Sequence, residues 1–221
     1  TNKYIRLSPV SNPHAIFSLL NYNHVVIWRG GSTNFNRYRG AIEYRPIQDD
    51  PTKIYIINDL LMEDYVAGIG EASNGAPMEY QKALMVAART YAYFIQQSSN
   101  KHDKRNFDVV SHTGDQLYLG YMNEVLAPNA VVATVATRGF MVTYNKEIVV
   151  TPYFGHSNGK TRSWTQKWGG SPKPWLVPVV AKYDKGLRMY GHGVGMSQRD
   201  AAYRADKDGW DLSVAGQRAT A

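Results

Sequence analysis

The carboxylate best placed for acid–base work is Glu71. The run Tyr65-Val-Ala-Gly-Ile-Gly-Glu71 carries it out of a short helix and past two glycines to the turn before a long helix, a position that suits a reactive side chain in a groove. The same position also suits a bystander, because acidic residues are favoured near helix N-termini. Two glycine-bearing stretches follow later, Phe154-Gly-His-Ser-Asn-Gly-Lys-Thr161 and Gly191-His-Gly-Val-Gly-Met-Ser-Gln198. Glycine lets a backbone approach a ligand closely or take positive φ, so such loops often line sites. Imidazole as a group titrates near neutrality, so His156 and His192 suit acid–base, ligand or purely structural roles. The Gly191–Gly195 run lacks the spacing and the terminal Lys-Ser/Thr pair of a phosphate loop, which argues against a nucleotide. There is no H-E-x-x-H pair, and Asp108 with His112 is too small a set for a metal, so neither metal nor cofactor is expected.

The elements that must position these residues are readable from pattern. Val25–Trp28, Arg37–Tyr44 and Ile54–Ile57 read as antiparallel strands, separated by Gly30-Gly31-Ser32 and Asp49-Asp50-Pro51. Asn58 is a candidate cap for a short helix from Asp59 to Val66. Ser73–Pro77 is a turn, with Pro77 suited to a first helical position. Leu84, Ala87, Ala88, Tyr91, Ala92 and Ile95 recur at spacings of three and four, which predicts a helix to about Gln97, roughly 30 Å long. Ser99–Asn106 reads as an exposed loop. Val131–Ala136, Gly139–Tyr144 and Ile148–Phe154 read as β-rich, with a hairpin turn at Asn145-Lys146. Ser157–Ser171 reads as loop, and Ser197 with Asp200 makes an S-x-x-D start for a helix ending near Gly209. The expectation is an α+β fold in a single domain over residues 1–221, an antiparallel β framework around a long central helix with a second helix near the C-terminus.

Composition narrows the class. A chain of 221 residues with 43% hydrophobic and 19% charged residues can bury a core. No run reaches the ~20 apolar residues a bilayer requires, and the first residues lack the blocks of a signal peptide. The absence of cysteine excludes disulfides and thiolate chemistry without deciding the compartment. The net charge of +7 favours a polyanionic partner. The basic residues are scattered, as at Lys101, Lys104 and Arg105 or Lys160 and Arg162, without the stripe or aromatic signature of a nucleic-acid binder.

Several blocks, taken together and in order, resemble the stage II sporulation protein D family, which includes the amidase-enhancer proteins. They are Asn58-Asp-Leu-Leu-Met-Glu-Asp-Tyr-Val-Ala-Gly68, Pro77-Met-Glu-Tyr-Gln-Lys-Ala-Leu-Met-Val-Ala-Ala-Arg-Thr-Tyr-Ala92, Ala136-Thr-Arg-Gly139, His156-Ser-Asn-Gly-Lys-Thr161, Trp168-Gly-Gly170 and Gly191–Gln198. The resemblance runs from about Arg39 to Gly209 and leaves residues 1–38 as a β-rich N-terminal extension. It implies a lytic transglycosylase outside the cytoplasm, in the cell envelope or secreted. Such an enzyme cleaves peptidoglycan glycan strands, preferably stripped of peptides, between N-acetylmuramic acid and N-acetylglucosamine. Glu71 matches the essential glutamate, although it stands two residues closer to the tyrosine of the preceding helix than in the sporulation enzymes. Ser73 occupies the unshifted spacing and cannot serve as a carboxylic acid. Around Phe107–Tyr118 the sporulation enzymes carry a cysteine- and histidine-bearing zinc motif, of which only His112 remains here.

The implied reaction needs one carboxyl group. It protonates the glycosidic oxygen and then takes the C6 hydroxyl proton as the 1,6-anhydro ring closes, with the substrate acetamido group available to stabilise the cationic centre. A neutral acid near pH 7 calls for a pKa raised from ~4.3 toward ~6. His156, Ser157, Asn158, Lys160, Thr161, His192 and Gln198 are the expected sugar-binding residues, with Lys160 meeting lactyl or peptide carboxylates. Trp164 is expected to stack on sugar faces, and Trp168 either to stack or to be core. Arg89 lies ~18 Å along the helix from its start and is expected to be structural, and Tyr91 to be core. Peptidoglycan is the expected partner. The alternative under the same resemblance is a non-catalytic module that binds wall glycan and enhances a cell-wall amidase.

Overall fold

A computed structural model of the chain describes residues 4–25, 33–47, 50–98, 101–102 and 105–212. These residues gather into two compact units, neither of them a continuous stretch of chain. The first comprises residues 1–74 and 98–135, the second residues 75–97 and 136–221.

In the first unit, β1 (Ile5–Leu7), β4 (Ala41–Ile47) and β5 (Asp50–Asp59) form an antiparallel sheet in the order β1-β4-β5, with a bulge at Pro46/Ile47. β2 (Ile16–Ser18) pairs antiparallel with β3 (Arg37–Arg39). The single strand expected over Arg37–Tyr44 is divided at Gly40, which takes φ +74° where any Cβ would sit 2.4 Å from the Asp59 carbonyl. Val25 makes an isolated bridge to Asn34; Val26–Trp28, Gly30–Ser32 and Asp49 lie outside the described residues. Glu43 is buried on β4, and its carboxylate accepts from Arg6 and Arg45.

Asn58 does not cap a helix. It is the penultimate residue of β5, where its side-chain amide donates to the carbonyls of Arg39 and Ala41 and its oxygen accepts from the Tyr118 hydroxyl. The short helix α1 begins later, at Met62, and runs to Ala67, with Leu61 at the cap position and no side-chain capping bond. The residues expected as a strand at Val131–Ala136 instead complete helix α4 (Pro128–Ala136), which follows α3 (Tyr121–Leu126). The valines mislead because they face outward: Val132 and Val135 are 53% and 69% exposed, while the small residues Ala130, Ala133 and Thr134 are buried. Pro128 opens this helix, where its missing N–H costs nothing. Asn123 of α3 is buried and donates to the carbonyls of Ala67 and Ile69, which ties α3 to the end of α1.

In the second unit, α2 (Met78–Ser98) begins one residue after Pro77, whose carbonyl accepts from the Gln81 N–H. Leu84, Ala87, Ala88, Ala92 and Ile95 are buried on the expected stripe. Tyr91 is partly buried against a core of Val150, Leu176 and Val194, together with Phe94, Trp164 and Trp175. The hairpin of β6 (Thr143–Tyr144) and β7 (Glu147–Ile148) turns at Asn145 and Lys146, both at positive φ (50° and 67°), the conformation a two-residue hairpin turn requires. β8 (Tyr153–Phe154) pairs in parallel with β9 (Met196–Ser197). A five-residue helix, α5 (Trp164–Trp168), interrupts the expected Ser157–Ser171 loop; Ser163 and Gln166 close a capping box around its first turn. The Ser197 hydroxyl caps α6 (Gln198–Lys207) by accepting from the Asp200 N–H, as the S-x-x-D spacing implies.

Candidate functional site

Glu71 follows a segment held by backbone pairing. Ile69 bridges antiparallel to Tyr118, the Gly70 N–H donates to the Leu117 carbonyl, and the Leu119 N–H donates to the Gly68 carbonyl. The two glycines are required for this pairing because their partners press on the backbone. A Cβ on Gly68 would sit 2.4 Å from the Tyr118 ring, and one on Gly70 2.4 Å from Leu119 Cδ1. At the end of this ribbon Glu71 Oε1 accepts from the Leu117 N–H at 2.9 Å. The side chain is half-buried and anchored by that bond.

Behind the same ribbon lies an aromatic and polar network. The Tyr118 ring stacks on Tyr65 at 5.1 Å, and the Tyr65 hydroxyl donates to Gln116. Burial pushes the Tyr118 phenol well above its ordinary range, consistent with a hydroxyl that donates to Asn58. Further along, the buried carboxylate of Asp115 accepts from Lys101, from the His102 ring at 2.8 Å and from the Val110 N–H. His112 Nδ1 accepts from the Gly114 N–H. Among the described residues no cluster of three or more histidine, aspartate and glutamate side chains converges as a metal site.

The other residues singled out in the sequence lie in the second unit. A buried carboxylate that the sequence reading did not select, Asp184, organises them. Its Oδ2 accepts from the Ser157 N–H at 2.7 Å, the Ser157 hydroxyl at 2.9 Å and the Ser197 hydroxyl at 2.6 Å. One oxygen thus joins both glycine-bearing loops. Arg199 balances the charge from 3.7 Å and donates to the Tyr183 carbonyl. Gly195 completes the junction: it takes φ +80° with the Pro152 carbonyl 2.0 Å from where a Cβ would lie. Nothing in the sequence separates Asp184 from other acidic residues, because both serines that bind it are distant in the chain.

Ser157 and Thr161 are buried with their hydroxyls engaged inside the protein, Ser157 with Asp184 and Thr161 by accepting from the Val179 N–H. Asn158 and Lys160 are exposed between them, and Gln198 is half-buried at the start of α6. The His156 backbone exchanges both hydrogen bonds with Tyr190, and its ring stacks on the Tyr190 ring. His192 Nδ1 accepts from the Val194 N–H at 3.1 Å, which places the proton of the neutral ring on Nε2. Burial lowers the His192 pKa below the usual histidine value; a bond to the Tyr153 backbone opposes this and the charge of Lys167 adds to it.

Rings line up beside His192. Its imidazole lies 5.4 Å from Phe154 and 5.0 Å from Trp168, and Trp168 lies 4.5 Å from Trp164. Trp164 packs on the core, with Lys173 over its face. Trp168 is 45% exposed and is therefore not core. A cavity of about 550 Å3 opens nearby in sequence, lined by Asn158, Lys160, Thr161, Arg162 and Gln166 with Pro178 and Met189. In α2, Arg89 is fully buried and donates to the Met85 and Phe140 carbonyls.

Residues 50–144 match the family model SpoIID, described as stage II sporulation protein. The matched segment includes Glu71, the ribbon that holds it and all of α2. An uncharacterized protein of Brachyspira hyodysenteriae (strain ATCC 49526 / WA1) is 34% identical over 143 residues, which is 63% of this chain. The chain spans 37% of that protein's length. No helix among the described residues is long and apolar enough to cross a membrane.

Proposed function

We propose that the chain is a peptidoglycan lytic transglycosylase of the cell envelope, with Glu71 as its single acid and base. The observation that carries this reading is the fixed carboxyl group of Glu71, one oxygen pinned by the Leu117 N–H, within the segment that matches the family. In the proposed reaction the protonated Glu71 gives its proton to the oxygen between N-acetylmuramic acid and N-acetylglucosamine, and the C1–O bond breaks. The resulting carboxylate takes the proton of the muramoyl C6 hydroxyl, whose oxygen bonds to C1. No water is consumed, and the products are a 1,6-anhydro end and a free glucosaminyl hydroxyl. A partly desolvated carboxyl group anchored by the Leu117 N–H suits both transfers.

Sugar recognition is assigned to the second unit. Trp168 offers an exposed ring to a sugar face, supported by Trp164 and His192. His156, Asn158, Lys160 and Gln198 supply polar contacts. The Ser157 and Thr161 hydroxyls, engaged within the protein, shape these loops instead of meeting sugar.

The test is the product spectrum of peptide-stripped glycan strands. Wild type should release anhydro-muramoyl fragments, and Glu71→Gln should retain strand binding while releasing none. A second reading, a glycan-binding enhancer of a wall amidase, is favoured by the aromatic face of the second unit, which requires no carboxylate to bind sugar. A wild type that binds strands, releases nothing and raises amidase turnover would establish it instead.

A further inference from the structure

We infer that the cavity beside Lys160 and Arg162 is an oxyanion-binding subsite. Residues 160–162 are extended and locked on both sides: Lys160 bridges Val180, Arg162 bridges Val194, the Thr161 N–H donates to the Val179 carbonyl and the Arg162 N–H to the Gly193 carbonyl. In an extended segment alternate side chains share a face, ~7 Å apart. Thr161 turns inward and is buried, so Lys160 and Arg162 stand together on the outer face, both exposed.

Neither cation forms an ion pair or a side-chain hydrogen bond among the described residues, in contrast to Arg39, Arg45 or Arg204, and no carboxylate lines the cavity. The remaining polar lining consists of the Asn158 and Gln166 amides and of Thr161, whose hydroxyl oxygen accepts from the Val179 N–H. Gln166 Oε1 already accepts from the Ser163 N–H, so a ligand would meet the amide's donors rather than its acceptor. Two cations on a rigid ribbon, together with amide donors, match a carboxylate or phosphate group. Arg162 adds the planar fork that such oxyanions fit.

Two sources carry this chemistry: the carboxylates of a glycan strand and the phosphates of an anionic wall polymer. Identification of the strand as ligand rests on the proposed function; the anion site itself does not. Side-chain NMR of the whole chain should show inorganic phosphate shifting Lys160 Nζ and Arg162 Nε signals, with the effect weakening at high salt. A strand bearing free lactyl carboxylates should bind roughly tenfold tighter than the same strand with those groups amidated. Lys160→Ala/Arg162→Ala should erase that preference, and Lys160→Arg/Arg162→Lys should keep it. Loss of phosphate shifts and of tight binding to poly(glycerol phosphate) in the alanine pair, with no discrimination between the strands, would support the subsite with phosphate as its source. Equal strand affinities in wild type, with no phosphate-induced shift and no poly(glycerol phosphate) binding, would overturn it. Anhydro-product formation is read separately, so a failed subsite and a failed reaction remain distinguishable.

Discussion

Ser197 donates its hydroxyl to Asp184 at 2.6 Å, to the same oxygen that already receives both the N–H and the hydroxyl of Ser157. Asp184→Ala would leave these buried donors unsatisfied and Arg199 without its counter-charge. We expect a loss of about 3 kcal/mol in stability. Ser157→Ala or Ser197→Ala should each cost about 1 kcal/mol. Chemical denaturation of the variants singly and as a Ser157→Ala/Ser197→Ala pair measures this. Independent, additive serine effects would show that the two loops are not coupled through Asp184.

Gly68→Ala and Gly70→Ala should each destabilise by about 1–3 kcal/mol through overpacking, because Tyr118 and Leu119 occupy the space a Cβ needs. Since this ribbon orients Glu71, product formation should fall further than the loss of folded protein explains. Thermal melts and turnover on the same preparations compare the two.

Acid should weaken the second unit through His192. The ring is held neutral in the folded protein, below the ordinary histidine pKa of 6.5. Between that lowered value and about 6.5 the unfolded chain binds more protons than the folded one, so stability rises with pH in this window and is lost as pH falls. His192→Gln should flatten the dependence of Tm on pH below about 6.5. An unchanged slope would mean that another group sets the acid sensitivity.

Trp168→Ala should weaken saccharide binding roughly three- to tenfold, with stability changed by no more than about 0.5 kcal/mol, as for an exposed position. Leu176→Ala, in the core, should instead cost about 2–5 kcal/mol. Calorimetric titration with a glycan fragment, alongside melts, separates the two.

What the sequence disclosed, and what it withheld, follows from the range of the interactions. The stripe of α2, the Asn145-Lys146 turn and the Ser197 cap depend on neighbours within four residues, and all are found where the spacing implies them. Asn58 is misleading because its capping chemistry is spent on strand carbonyls and on Tyr118. Val131–Ala136 misleads for a different reason: β-branched residues on the outer face of a helix outweigh small alanines on its inner face. Gly68 and Gly70 are conspicuous in sequence, but their cause, the ring of Tyr118 and the side chain of Leu119, is a tertiary contact. Asp184 had no local signal, since its partners approach from two other loops.

The discontinuity of the two units limits how the gene can be dissected. Each unit is assembled from separated parts of the chain, so any single cut leaves at least one of them without a piece of itself. A fragment covering only residues 50–144 carries Glu71 and α2 but omits β1, β4 and most of the core around α2. Deletion clones bounded by the matched segment should therefore yield insoluble polypeptide, and fusing the separated segments of one unit through a linker is the rational way to isolate it.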